Sequence, residues 1–267
     1  MLATKRRVIL GGLGMIMGLV LVSYPFVGGW VASQLQSSQI ATYSQASGSS
    51  GWEKIVEDAR TYDDERQNAP VGGRGDAHYE SVLSFKGTDV MSRIVEPSAS
   101  IDLPVYHGTD AATLERGVGH LFGSDMPVGG VGRNSVLTAH TGLKAARMFD
   151  NLTRVEAGDV FYVRTGGWTG AYKVVKTLVV SPEKATTLAQ RVSGRDIVTL
   201  VTCTPYSVNT HRFLVVGERT TIDENTAPIP VKGKTASALP LVWALIGLVA
   251  IIGVCAWKMR LVGGAYD

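Results

Sequence analysis

DIVTLVTCTPYSVNTHRFLVVGERT, residues 196–220, is the stretch on which the reading of this chain turns. Two runs, DIVTLVTC (196–203) and RFLVVGERT (212–220), flank a polar connection that begins Thr204-Pro205. β-Branched and aromatic residues suit a pleated surface and the residue pair X-Pro leaves regular structure, so the stretch reads as two strands and a loop. The same texture extends upstream. SVLTAH (135–140), DVFYVRT (159–165) and AYKVVKTLVV (171–180) are separated by clusters of Gly, Asp, Asn and Pro. Strands at this spacing predict an antiparallel barrel or sandwich, and the roughly 130 residues from Val90 onward are enough for one core. Gly129-Gly130 and Gly166-Gly167 lie between strand-like runs and read as turns, not as phosphate-binding loops.

The chemistry in this stretch is carried by few residues. Cys203 ends a strand beside a loop, a suitable place for a nucleophile, although a lone cysteine is more often an inert buried thiol. His140 ends another strand-like run and can move a proton near neutral pH. Arg212 follows Cys203 by nine residues, and a hairpin would bring it back beside the thiol. A guanidinium holds its proton and donates in a planar fork, which suits an oxyanion or a peptide carbonyl and excludes general-base work. Spacing alone does not separate that role from a solvated strand arginine. His78, His107, His120 and His211 carry weaker arguments, and no histidine pair has a metalloprotease-like helical spacing, so neither a metal nor a cofactor is expected.

Upstream of the strands the pattern changes. Residues 33–51 are rich in Ser, Gln, Ala and Gly and read as a flexible tether or loosely helical stalk. Trp52 to Arg66 places Trp52, Ile55, Val56 and Ala59 on one face of a short amphipathic helix. Residues 67–78, QNAPVGGRGDAH, form a loop.

The chain is 267 residues long, 45% hydrophobic and 18% charged, a composition that excludes disorder and allows for apolar segments beyond a core. Two such segments are visible. Residues 8–32 and 238–257 carry no charged residue and are each long enough to span a bilayer. Lys5-Arg6-Arg7 precede the first and Lys258 with Arg260 close the second, so both flanks predict cytoplasmic termini, with residues 33–237 outside the membrane. A cleaved signal peptide and a buried core helix are the respective alternatives. One of the two cysteines, Cys255, lies inside the second apolar run, which leaves Cys203 alone and excludes a disulfide scaffold. Five of the 26 basic residues sit at the ends, as does one of the 23 acidic ones (Asp267); the 21 and 22 that remain nearly balance, so nothing favours nucleic-acid binding.

Four motifs in order, LPVYHGT (103–109), GVGHLFGSDMPVGG (117–130), NSVLTAHTGL (134–143) and TLVTCTPYSVNTHR (199–212), resemble the sortases, and within them class C, the pilin-polymerising sortases. The similarity runs from about Tyr79 to Arg219. It implies an all-β, eight-stranded sortase barrel over residues 90–221, preceded by a stalk, short helix and lid-like loop (33–89). A linker (222–237) would follow the barrel, and the two transmembrane helices would flank the whole, with tails at 1–7 and 258–267. It implies Cys203 as nucleophile, His140 as its acid/base partner and Arg212 as the oxyanion or substrate-positioning group. The implied partners are pilin or surface proteins bearing a Leu-Pro-x-Thr-Gly-like signal, an acceptor lysine amine of a pilin, and the membrane of a Gram-positive envelope. A cell-wall cross-bridge amine as acceptor is the alternative within the same chemistry, and a catalytically retired binding module the alternative outside it.

One departure from the class C pattern stands out. Such enzymes usually carry an Asp-Pro-aromatic lid, and this chain has no Asp-Pro dipeptide. The matching place reads Gly75-Asp76-Ala77-His78, which leads to the expectation of a degenerate lid, with Asp76 reaching Arg212 and His78 in place of the aromatic.

Overall fold

The structure, a computed structural model, describes residues 2–48, 50–67, 69–142 and 147–221, together with Gly247 and Gly253. The chain divides into two compact units, and the packing described below belongs to the larger, Gln34–Leu143 with Arg147–Gly233.

The first element, α1 (Leu2–Ser47), is one continuous helix of 46 residues that contains the first expected span. Among the described residues no helix is long and apolar enough to cross a membrane. The second expected span, 238–257, lies outside the described residues apart from Gly247 and Gly253. The tether reading of 33–51 gives way to helix as far as Ser47, for a physical reason that composition hides. Tyr43 is buried; its hydroxyl donates to Arg164 O (3.2 Å) and accepts from Gly166 N (2.9 Å), while its ring meets Phe85 edge-on at 5.3 Å. Tertiary contact holds a segment whose local propensity is weak.

Next, α2 (Trp52–Glu65) occupies the predicted amphipathic stretch and buries Val56, Ala59, Tyr62 and Asp63. Three short helices escape the sequence pattern: α3 (Ala77–Ser81), α4 (Ala111–Arg116) and α5 (Pro182–Leu188). Each follows a residue whose side chain accepts the N–H three positions on: Asp76 from Tyr79, Asp110 from Thr113, Ser181 from Lys184. Capping of this kind starts a helix that has too few residues to show periodicity.

Among the described residues eight strands close into a barrel: β1 (Ser92–Glu96), β2 (Ile101–His107), β3 (Val118–His120), β4 (Arg133–Thr138), β5 (Val160–Thr165), β6 (Trp168–Val180), β7 (Asp196–Thr204) and β8 (His211–Thr220). Their order around the barrel is β1-β2-β3-β4-β7-β8-β6-β5. The barrel is mixed where an antiparallel one was expected from the strand texture, because β2–β3 and β4–β7 pair in parallel. Parallel neighbours need a crossover, and α4 supplies one between β2 and β3 while α5 lets β7 return on the far side of β8. Phe161, Val163, Tyr172, Leu200, Leu214 and Val215 are fully buried within this closed sheet.

Polar contacts fasten α2 to the barrel. Asp63 Oδ1 accepts Met126 N (2.9 Å), and Arg133 Nη2 donates to Asp64 Oδ1 (2.7 Å) and Arg60 O (3.1 Å). Arg191, in the segment after α5, donates to Asp63 O (2.7 Å) and pairs with Asp125. Burial raises the carboxyls of Asp63 and Asp125 above the ordinary carboxylate range. The cluster thus ties the segment before β7 to the helix in front of the barrel.

Candidate active site

Strand β7 delivers Cys203 as its penultimate residue, half-buried. The chain then turns through Pro205–Thr210, where Val208 N and Asn209 N both donate to Pro205 O (3.1 and 2.9 Å), and returns as β8. The antiparallel register sets Arg212 directly opposite Cys203. Paired residues in such a ladder project to one face, so thiol and guanidinium share a side of the sheet. Arg212 Nη1 donates to Asn209 O and His211 O, each at 3.2 Å. Its Nε and Nη2 have no hydrogen-bonding partner among the described residues and remain available to a ligand.

On the other flank of β7 lies β4. Their parallel register pairs Thr138 with Val201. Beyond it Ala139 N donates to Val201 O (3.2 Å) and Thr202 Oγ1 donates to Ala139 O (2.8 Å). Ala139 is thus held against β7, and His140 follows it, two residues past the end of β4. The segments that carry His140, Cys203 and Arg212 therefore run in a row, the chain leaving β4, then β7, then β8. Sequence separates His140 and Arg212 from the cysteine by 63 and 9 positions; the sheet makes their segments neighbours. Residues of these types can deprotonate a thiol, hold a developing oxyanion and protonate a leaving amine. Among the described residues no three His, Cys, Asp or Glu side chains gather as a metal-ligand set.

Asp76 and His78 are placed elsewhere, which corrects the lid expectation. Asp76 Oδ1 accepts the Tyr79 N–H at 2.8 Å as the cap of α3, and Oδ2 lies 3.8 Å from Arg66 Nη1. The His78 ring packs edge-on against Tyr62 at 5.1 Å. The segment is held by Tyr79, which is buried and whose hydroxyl accepts from Gly108 N (2.9 Å) and meets His120 Nδ1 (2.9 Å). With α3 capped and Tyr79 sunk into the barrel, Asp76 points to Arg66 and not to Arg212.

His120 and His107 do structural work. His120 is fully buried; Nε2 faces Asp125 O (2.8 Å), so that nitrogen carries the proton and Nδ1 accepts from Tyr79. Burial pushes its pKa down to about 4. His107 Nε2 faces Val82 O (2.7 Å), and burial lowers that imidazole too. Two residues near the row had no signal in the sequence. Tyr206, exposed in the β7–β8 turn, has its ring 3.4 Å from where a Cβ on Gly142 would stand. Asp150 accepts from Gly142 N (2.8 Å) and Met148 N (3.1 Å).

A closed barrel that brings a cysteine, a histidine and an arginine onto neighbouring segments has the residue types of a cysteine acyl-transfer enzyme. Comparison with known proteins agrees. The sortase domain model matches residues 94–220. Sortase D of Bacillus subtilis is 30% identical over 143 residues, covering 52% of this chain and 69% of that protein. The crystal structure of sortase C-1 from Actinomyces oris is 48% identical, with a TM-score of 0.61, covering 65% of this chain and 100% of that one. Sortase C1 of Streptococcus agalactiae is 36% identical, with a TM-score of 0.65, covering 71% of this chain and 98% of that one. The chain belongs to the sortase family, and within it to class C. It is accordingly a cysteine transpeptidase.

Proposed function

We propose that this protein is a membrane-anchored transpeptidase that cleaves a Leu-Pro-x-Thr-Gly-like sorting signal between Thr and Gly and transfers the acyl group to a lysine amine of a pilin subunit. The observation that carries the reading is the register that sets Arg212 opposite Cys203, with His140 two residues past the end of β4 on the other flank of β7. In this reading the Cys203 thiolate adds to the Thr carbonyl carbon while the unoccupied N–H groups of Arg212 receive the oxyanion or hold the carbonyl. The Thr–Gly C–N bond then breaks and the departing Gly nitrogen takes a proton from His140, leaving a thioester on Cys203. A lysine Nζ attacks that thioester, gives a proton to His140, and releases Cys203 as thiolate. Passing through a thioester lets an amine compete with water. The apolar runs 8–32 and 238–257 with their flanking cations support two membrane spans, both termini cytoplasmic and the barrel outside.

Intact-mass analysis tests the reading. The full-length protein incubated with a Leu-Pro-x-Thr-Gly peptide should gain the mass of the peptide's acyl portion, and Cys203→Ala should gain nothing. Added lysine-bearing pilin segment should discharge the adduct into a new isopeptide. An adduct that survives in Cys203→Ala, or one that only water and never an amine discharges, would refute it.

A further inference from the structure

Strand β4 ends at Thr138, two residues before His140. The aim of the imidazole therefore depends on the turn that follows it. A single carboxylate joins the described residues that follow: Asp150 Oδ1 accepts the Gly142 N–H at 2.8 Å and Oδ2 accepts the Met148 N–H at 3.1 Å. Gly142 and Met148 are thereby pinned to one side chain. Inside this clamp Phe149 N donates to His140 O at 3.0 Å, which fixes the histidine's own peptide. Phe149 and Leu152 are fully buried, and Leu152 N donates to Phe149 O at 3.0 Å. On the opposite side Gly142, at φ +80°, lies under the Tyr206 ring of the turn that leaves Cys203.

We propose that Asp150 is a positioning residue for the transpeptidation, acting through His140. It holds the turn after β4 so that the imidazole stays abreast of Cys203. The proposal rests on the reading of His140 as the acid/base group. The chemistry explains why an acid stands here. Two N–H groups converge on one side chain, and a carboxylate offers an acceptor oxygen to each, with charge-assisted bonds that are shorter and stronger than neutral ones. An asparagine of the same size would accept from one N–H and turn its own NH2 toward the other. Alanine would release both. Asp150 touches neither thiol nor substrate in this scheme, so its loss should leave substrate binding intact and slow the chemical step.

The test uses the full-length protein with Asp150→Ala, Asp150→Asn and His140→Ala. For each, kcat and KM are measured with a sorting-signal peptide, and the pH dependence of Cys203 alkylation by iodoacetamide is followed on the Cys203 peptide by mass. Asp150→Ala should lower kcat by roughly tenfold to a hundredfold, as expected for an ångström-scale misplacement of a catalytic group. KM should stay within about twofold, and the alkylation profile should move in the direction that His140→Ala moves it. Asp150→Asn should fall between wild type and Asp150→Ala, and it carries the comparison if the alanine variant does not fold. An unchanged alkylation profile in a folded Asp150 variant, or a kcat that only tracks the folded fraction, overturns the proposal. A profile that moves in His140→Ala alone defeats the positioning role and leaves the His140 reading standing. No change in His140→Ala in either measurement defeats both.

Discussion

Arg212 and Cys203 face each other across the β7–β8 ladder, nine residues apart in sequence and one hairpin apart in space. The hairpin does more than return the arginine. The carbonyls of Asn209 and His211 take up Nη1, which orients the planar fork and leaves its other edge without a hydrogen-bonding partner among the described residues.

Arg212→Ala is therefore expected to lower kcat by about a hundredfold or more, the scale seen when an oxyanion donor is removed. Arg212→Lys should recover little, since an ammonium cannot bind two loop carbonyls and a substrate oxygen in one plane. Steady-state kinetics on a sorting peptide decide it. Full recovery in the lysine variant would reduce the role to charge alone.

Asp76→Ala should leave turnover within about twofold of wild type while lowering stability by about 1 kcal/mol, the usual cost of a lost helix cap. Its bond to Tyr79 N and its pairing with Arg66 are local to α3. A urea melt and a turnover assay on the same preparation suffice. A rise in turnover would restore Asp76 to the role of a lid.

Acid should weaken the fold through His120. Its folded-state pKa of about 4 lies below the ordinary 6.5, so the unfolded chain takes up a proton first as pH falls. Stability from this group is complete above 6.5 and lost on the way down to about 4, on the order of 3 kcal/mol in all. The raised carboxyls of Asp63, Glu96 and Asp125 act in the opposite sense. The comparison is thus between wild type and His120→Gln: the variant's melting temperature should fall less between pH 7 and pH 5. Equal slopes would count against a neutral buried imidazole.

Gly123→Ala should be among the more damaging single changes away from the thiol. Gly123 has φ +82°, and a Cβ there would stand 2.1 Å from Pro70 O. Left-handed backbone together with overpacking is expected to cost roughly 2–4 kcal/mol. The change would also disturb the bond from Gly72 N to Phe122 O (2.7 Å) that docks the 69–75 segment on the barrel. A denaturant midpoint that does not move would mean the segment is free to give way.

What the sequence disclosed followed from how local each signal is. The five strands from Ser135 to Thr220 were readable because β-branched runs between turn residues are a local pattern; β5 to β8 lie where that pattern placed them, while β4 sits two residues earlier and leaves His140 beyond its end. Strand direction was not readable, since β4 and β7 become parallel neighbours only through the closure of the whole sheet. His140, Cys203 and Arg212 stood out by residue type and by family motif. Asp150 and Tyr206 did not, because one acts by accepting backbone N–H groups and the other by covering a glycine. The 33–51 segment left tether and helical stalk both open for the converse reason: its composition is that of a linker, and the buried Tyr43 decides for helix as far as Ser47.

The parallel pairing of β4 with β7 has a consequence for the life of the chain during synthesis. His140 has been made long before Cys203, and β5, β6 and α5 lie between them in sequence. A nascent or partly unfolded chain can carry the thiol without an imidazole at its side. On the proposed reading of His140, acylating power arrives with ring closure of the sheet and departs when the ring opens.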